Sequence, residues 1–328
     1  MVVDDGGSPI IARGLCWSTH PEPTVLDNYS INGNGIGTFV TQITGLTPGT
    51  KYYIRAYAIN QVGPAYGGQV IIQTVATPPP FTCGTSMVTD HEGNVYNTLQ
   101  LGNQCWMKEN MRCKTSPTTG TMLLEPEPLG NSSYTGKKAY YAGGSPSTIG
   151  KYGLLYNWNA AVDVYNEAFG ETSANEEDSN AVNITFTGHR RGICPAGWHV
   201  PTLSEWNQLT DYVSTQSQFI CGSDSTYIAK ALAAPSVWNS GGTNSCGLDI
   251  NQTANNATGF SIVPADQYPY EGLFGCHAHL WCTSQVEEQG FLYPESIAYI
   301  FCLFHGSPTT RDDIGNKKNG FSVRCLRD

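Results

Sequence analysis

Cys276, His277, His279 and Cys282 fall in one short stretch, and Cys302 and His305 follow at helix-like or loop spacing. Thiolate sulfur and imidazole nitrogen are the ligands that hold Zn²⁺, so chemistry is sought here first. The stretch lacks the paired CxxC knuckles that specify a zinc site. In an oxidising setting a disulfide among Cys276, Cys282 and Cys302 is the expected state instead. Calcium requires hard carboxylate and amide oxygens. Glu125-Pro-Glu-Pro128 is a proline-stiffened acidic loop and Asp312-Asp313 an isolated pair, and both are expected as solvated charge. Zn²⁺ and Ca²⁺ are the two ions these residue types admit; neither has a specific motif, and no cofactor is expected.

Catalysis needs a nucleophile, a base and an orienting group in one place. The histidines are His20, His91, His189, His199, His277, His279 and His305. No phosphate-cradling glycine loop, HExxH helix or nucleophile elbow accompanies them. His199, inside GWHVP, is expected to be structural. The protein is therefore expected to bind rather than catalyse. Between Ser296 and Asn316 there is no Lys, Glu, Gln, Met or Trp. If Tyr299 to Phe304 is a strand, Ile300, Cys302 and Phe304 share one face, and Tyr299, Phe301 and Leu303 the other. Two apolar faces mean either full burial or an uncovered patch, and an uncovered patch marks an interaction site. The expected ligand-binding residues are His277, His279, Phe291, Tyr293, Ile300, Cys302, Phe304, His305 and Ser307.

The elements that must position these residues belong to a chain long enough for two domains with real cores. Charged residues make up only 13%, while Gly (36), Pro (19) and Tyr (18) are plentiful, a composition suited to turn-rich β structure. A formal charge of −10 and 17 scattered Lys and Arg argue against nucleic acid as a partner. No apolar run is long enough for a membrane span. MVVDDGGSPI has neither the positive start nor the apolar core of a secretion signal. The expectation is a removed signal, or exit by another route such as a virion. Eleven cysteines favour an oxidising, extracellular destination.

From Met1 to about Thr74, strands are expected at Ile10–Ser18, Gly37–Ile43, Lys51–Asn60 and Gly68–Thr74, separated by Pro and Gly turns. GLTPGTKYYIRAYAIN, RGLCWST and Pro21-Glu-Pro23 resemble fibronectin type III-like (immunoglobulin-like) modules of Bacteroidetes surface proteins. That resemblance implies a β-sandwich spacer, N-terminally truncated, with an open sheet edge for strand addition or self-association. Cys16 is expected as a small buried apolar residue. Residues 75–82 form a proline-rich linker. Beyond it, residues 83–328 form one domain. Thr202 and Glu205 form a capping box for a helix that puts Trp206, Leu209, Tyr212 and Val213 on one face. Short helices are expected within Tyr152–Val162 and Tyr227–Ala234. Gly320–Cys325 is expected as a core strand, apolar Phe321 and Val323 alternating with polar Ser322 and Arg324.

VTDHEGNVYNTLQLGNQCWMKEN, YGLLYNWNAAV, RGICPAGWHVPTLSEWNQL and GFSVRCLRD together resemble the FISUMP domain (Fibrobacter succinogenes major paralogous domain) over most of Cys83 to Asp328. The resemblance implies an α+β C-type lectin-like fold. It also implies a bridge between Cys194 and Cys325, closing a loop of over a hundred residues. Such a bridge adds about 4–5 kcal/mol in the chain-entropy model. Cys83 with Cys105 is the next expected pair, and Cys221 with Cys246 would staple a loop; Cys113 has no partner to name. Sugar-binding C-type lectins use Glu-Pro-Asn or Gln-Pro-Asp with Trp-Asn-Asp, and neither pair occurs in the C-terminal region. Formylglycine-generating enzymes share a similar fold, but their reactive-cysteine motif has no match here. The chain also resembles the variable proteins of diversity-generating retroelements, which carry a diversified segment at the C-terminus of a lectin-like fold. Their adenine-directed mutagenesis of AAC codons cannot reach Lys, Glu, Gln, Met or Trp, and Ser296–Asn316 obeys that exclusion. The expected function is display of a variable surface at about 275–316 toward a protein or glycan on a cell surface, from a bacterial surface or a virion. A non-diversified adhesin or glycan-binding protein is the alternative, and a formylglycine-generating-enzyme-like oxidase a more distant one.

Overall fold

Two units divide the chain, Met1–Phe81 and Thr82–Asp328, with the boundary inside the proline-rich segment. The computed structural model describes residues 1–77, 79–123, 136–164, 188–269, 272, 274–286 and 296–328. The acidic loop at Glu125–Pro128 lies outside them.

In the first unit, β1 (Ala12–Ser18), β2 (Asn28–Tyr29), β3 (Lys51–Asn60) and β4 (Gly63–Gln73) form one antiparallel sheet in the order β2-β1-β3-β4. Gly14 pairs with Tyr57, and Cys16 with Arg55, which puts Cys16 and Tyr57 on the same face, where both are buried. The Cys16 thiol lies 3.2 Å from the Pro23 carbonyl and behaves as a small core residue. Residues 37–43, expected as a strand, make only the single bridge Val2–Gly37. A strand needs a neighbour for its backbone groups, and residues 38–43 pair with none of the four. Among the described residues this unit is one sheet, so the second layer of a sandwich is missing from it.

The second unit is mostly short strands. β5 (Val88–Thr89) and β6 (Val95–Tyr96) make a hairpin. Asp90 closes it, accepting from the Glu92 and Asn94 amides and from the Tyr96 hydroxyl. β7 (Thr98–Leu101), β8 (Gln104–Met107), β11 (Trp198–His199) and β15 (Leu326–Arg327) form a sheet in the order β11-β15-β8-β7. β9 (Ala139–Tyr141) pairs with β10 (Leu154–Tyr156), and β12 (His277–Gln285), β13 (Ile297–Phe304) and β14 (Arg311–Asn316) form a third sheet. The helices are α1 (Ile149–Tyr152), α2 (Trp158–Ala161), α3 (Leu203–Ser214) and α4 (Ala229–Leu232). The helix expected across Tyr152–Val162 is thus broken. Gly153 adopts φ +75° and ends α1, β10 follows, and the Asn157 side chain caps α2 by accepting from Ala160. The helix expected at Tyr227–Ala234 is one turn, stopped ahead of Pro235.

Helix α3 carries the capping box, with Thr202 and Glu205 bonding reciprocally, a device worth about 0.5–2 kcal/mol. Its buried stripe is Trp206, Leu209 and Val213. The Trp206 ring stacks on Phe301 of β13 at 4.3 Å and lies 4.6 Å from Trp106 of β8. One helix side chain therefore joins two sheets, each aromatic pair adding about 0.5–1.5 kcal/mol beyond its burial.

The terminal stretch Gly320–Cys325 is core as expected, with all six residues buried, but it makes isolated bridges and not a strand. It threads between layers, so both of its sides meet protein. Phe321 exchanges backbone bonds with Tyr156. Ser322 donates to His279 and accepts from Trp281, Val323 accepts from Met111, and Cys325 accepts from Met107. Arg324 is only 1% exposed. Its guanidinium donates to Asn110 Oδ1 and to the Phe260 and Ser261 carbonyls.

Three disulfides are formed, Cys83–Cys105, Cys194–Cys325 and Cys221–Cys246, the pairs the sequence suggested. Cys16, Cys113, Cys276, Cys282 and Cys302 are free thiols, so no disulfide forms among Cys276, Cys282 and Cys302.

His199 is structural and ties the last residue to α3. Its Nδ1 lies 2.7 Å from Asp328 and its Nε2 2.9 Å from Glu205, with the His189 ring stacked at 4.0 Å. Burial opposes its charge, but the hydrogen bonds and charges of Glu205 and Asp328 outweigh burial and raise its pKa.

Three outcomes are expected. Removing Cys194–Cys325, which spans 131 residues, should cost about 4–5 kcal/mol in urea denaturation. Removing Cys221–Cys246, which spans 25, should cost about 3–4 kcal/mol. Because the folded pKa of His199 is raised, its contribution is complete below its unfolded value of about 6.5 and lost as pH rises through the folded one. Denaturation midpoints from pH 6 to 9 should therefore fall more in the parent than in His199→Gln.

Candidate functional site

The sheet β12-β13-β14 has two faces set by register. His277 pairs with Phe304, His279 with Cys302 and Trp281 with Ile300. Cys302 then pairs with Arg311, and Ile300 with Asp313. These residues share one face, while Ala278, Leu280, Cys282, Phe301 and Leu303 occupy the other and pack into the core beneath α3. Cys282 and Cys302 thus lie on opposite faces, which is why they neither bond nor converge on a metal. Burial holds both thiols well above the usual cysteine pKa, so they are not thiolates.

The first face is partly covered. Phe321, from the terminal thread, packs 4.6 Å from the Trp281 ring and 5.3 Å from His279. Beneath it Ile300, Cys302 and His279 are buried, so these three expected ligand contacts are not at the surface. The sequence showed their shared face but not the residue that covers it.

Away from Phe321 the face opens. His277, Phe304, His305 and Ser307 are half-buried. The His277 ring meets Phe304 edge-on at 4.8 Å and lies 6.4 Å from His305. The His305 carbonyl accepts from Leu248 and Asp249, just beyond the Cys246 end of the Cys221–Cys246 bridge. Ser307 closes a turn, its hydroxyl bonded to Thr309. Phe291 and Tyr293, also expected in the site, lie outside the described residues.

Arg311 and Asp313 adjoin this face, paired at 3.3 Å, with Arg311 65% exposed. From the sequence Asp313 is expected only as solvated charge, and Arg311 is not among the expected contacts. The alternation of β14 carried the signal, but only its pairing with β13 shows which way it points.

His279 is the buried polar residue under the patch. Burial, reinforced by the neighbouring His277, lowers its pKa to about 4, so it is neutral at physiological pH. Its Nδ1 has no hydrogen-bond partner. The one His and carboxylate cluster with metal-ligand spacing among the described residues is elsewhere: His189, His199 and Asp328. There the two rings stack at 21°, and the His199 nitrogens are hydrogen-bonded to Asp328 and Glu205.

The molecule is thus a disulfide-stapled, β-rich domain presenting a mixed aromatic, imidazole and charged face. Residues 99–327 match the family model of the Fibrobacter succinogenes major domain, and the chain belongs to that family. No curated protein and no solved structure matches it.

The low pKa of His279 has a measurable consequence. An unfolded histidine binds a proton near 6.5 while the folded one resists until about 4. Stability is therefore lost as pH falls across that window, by up to about 3 kcal/mol for the full shift. His279→Asn should flatten this acid limb in pH-dependent urea denaturation.

Proposed function

We propose that this protein is a ligand-recognition protein rather than an enzyme, with a C-type lectin-like scaffold and a contact surface on the open part of the β12-β13-β14 face. The observation that carries this reading is the half-exposed group His277, Phe304 and His305 beside Arg311 and Asp313, held on a sheet whose reverse side is core. Aromatic and Arg side chains are the types that dominate binding energy, and a rigid backing lowers the ordering cost. The free thiols Cys282 and Cys302, buried and protonated, support recognition over cysteine chemistry.

The partner is a protein or glycan on a cell surface. Three disulfides favour an oxidising, extracellular setting. The absence of five residue types from Ser296–Asn316 supports diversification of this surface by a retroelement. The first unit is a fibronectin-like spacer. Its β4 edge, with Val70 and Ile71 more than half exposed, suits strand addition.

Two measurements test the proposal. Sister copies sequenced from one population should differ mainly within Gly275–Asn316, and there at His277, Phe304, His305, Ser307, Arg311 and Asp313. Substitutions scattered evenly over Cys83–Asp328 would sink diversification and leave a fixed adhesin. On glycan and cell-surface protein arrays, Phe304→Ala with Arg311→Ala should weaken the parent's binding about tenfold or more. Equal binding by a folded double variant would remove this face as the site.

A further inference from the structure

A second cleft lies apart from the sheet just described. It has a volume of about 250 Å³, and Lys108, Lys151 and Arg324 line it. The whole chain has only 17 Lys and Arg and carries a formal charge of −10, so three cations around one small cleft is a local reversal of sign. Neither lysine forms an ion pair among the described residues. Lys108 is half-buried, and the exposed Lys151 has only a cation–π contact, 5.4 Å from the Tyr152 ring.

Arg324 forms the floor; every hydrogen-bond acceptor it has is neutral, while the Glu109 carboxylate in the same lining supports its charge through space. Its Nε and one terminal nitrogen donate to Asn110 Oδ1, and the remaining bonds go to the Phe260 and Ser261 carbonyls. The Phe260 ring lies 4.8 Å away. Burial draws its pKa down to about 9, which still leaves a cation at physiological pH. A buried charge whose hydrogen bonds all go to neutral acceptors is costly; Glu109 offsets part of that cost, and a bound anion offsets more.

The one carboxylate in the lining, Glu109, is already engaged. Its two oxygens accept from the Asn97 backbone amide at 2.8 Å and side-chain amide at 2.7 Å. Ser261, held at φ +62°, adds a polar residue to the wall, and Val263 an apolar surface. The cleft is thus cationic, anchored on a rigid guanidinium, and smaller than the roughly 300–1,000 Å³ of drug-sized sites.

We propose that this cleft binds the oxyanion group of a small ligand, a carboxylate or phosphate, between Lys108, Lys151 and the Arg324 floor. The charge-assisted bonds come from the lysines, while Arg324 supplies a fixed field. An acidic sugar and free phosphate offer the same chemistry, and the test separates them. The cleft is built from segments 108–110, 151, 261–263 and 324, so its occupancy does not depend on the β12-β13-β14 face.

The experiment is calorimetric titration of the full chain at low ionic strength with glucuronate, inorganic phosphate and, as a neutral control, glucose. Saturable binding of glucuronate, of phosphate or of both is expected, and none of glucose; which anion saturates identifies the group preferred. The double variant Lys108→Gln with Lys151→Gln alters two solvent-accessible side chains and should keep the parent's melting temperature. It should raise Kd about tenfold or more. Added NaCl should weaken binding in the parent and have less effect in the variant. No saturation by either anion, equal binding of glucose, or an unchanged Kd in the folded double variant would overturn the proposal.

Discussion

The terminal thread from Gly320 to Cys325 is the constraint on which the second unit depends. Its backbone bonds reach Tyr156 of β10, His279 and Trp281 of β12, and the Met107–Met111 segment after β8. Elements distant in sequence are therefore brought into register by one short stretch. The Cys194–Cys325 disulfide and the His199 bridge from Asp328 to Glu205 secure its far end beside the α3 cap. Phe321 then covers Trp281 and His279 and decides where the neighbouring sheet face closes and where it opens.

The division of labour across β12, β13 and β14 follows from that cover. One face is core, stacked through Phe301 on Trp206. The opposite face is core only under Phe321, and beyond it His277, Phe304 and His305 meet solvent beside the Arg311–Asp313 pair. Residues at such an edge can change without disturbing the buried ladder below. The variable surface proposed above would require that tolerance.

Local devices were legible in the chain. The capping box at Thr202 and Glu205 involves residues three apart, so its chemistry is complete within one helical turn. Strand β3 appears at its expected bounds because its alternation and flanking turns are local as well. The Cys194–Cys325 pair was accessible through the family motifs that surround those two cysteines. Where the fold needed a non-local partner, expectation failed: residues 37–43 had alternation but no neighbour, and Gly320–Cys325, core as expected, makes only isolated bridges in place of a strand.

The candidate sites show the same boundary. That Ile300, Cys302 and Phe304 share a face follows from the two-residue period of any strand, and the sequence alone determined it. It likewise determined a turn-rich β class, a net negative chain and cysteines enough for several bridges. Only the tertiary structure decided that Ile300 and Cys302 are covered while Phe304 is not, that Arg311 and Asp313 adjoin them, and that Lys108 and Lys151 meet over Arg324. Periodicity specifies which side chains point the same way. What lies on that side is set by contacts between segments as far as 214 residues apart, such as Asn110 with Arg324, and no local pattern encodes those.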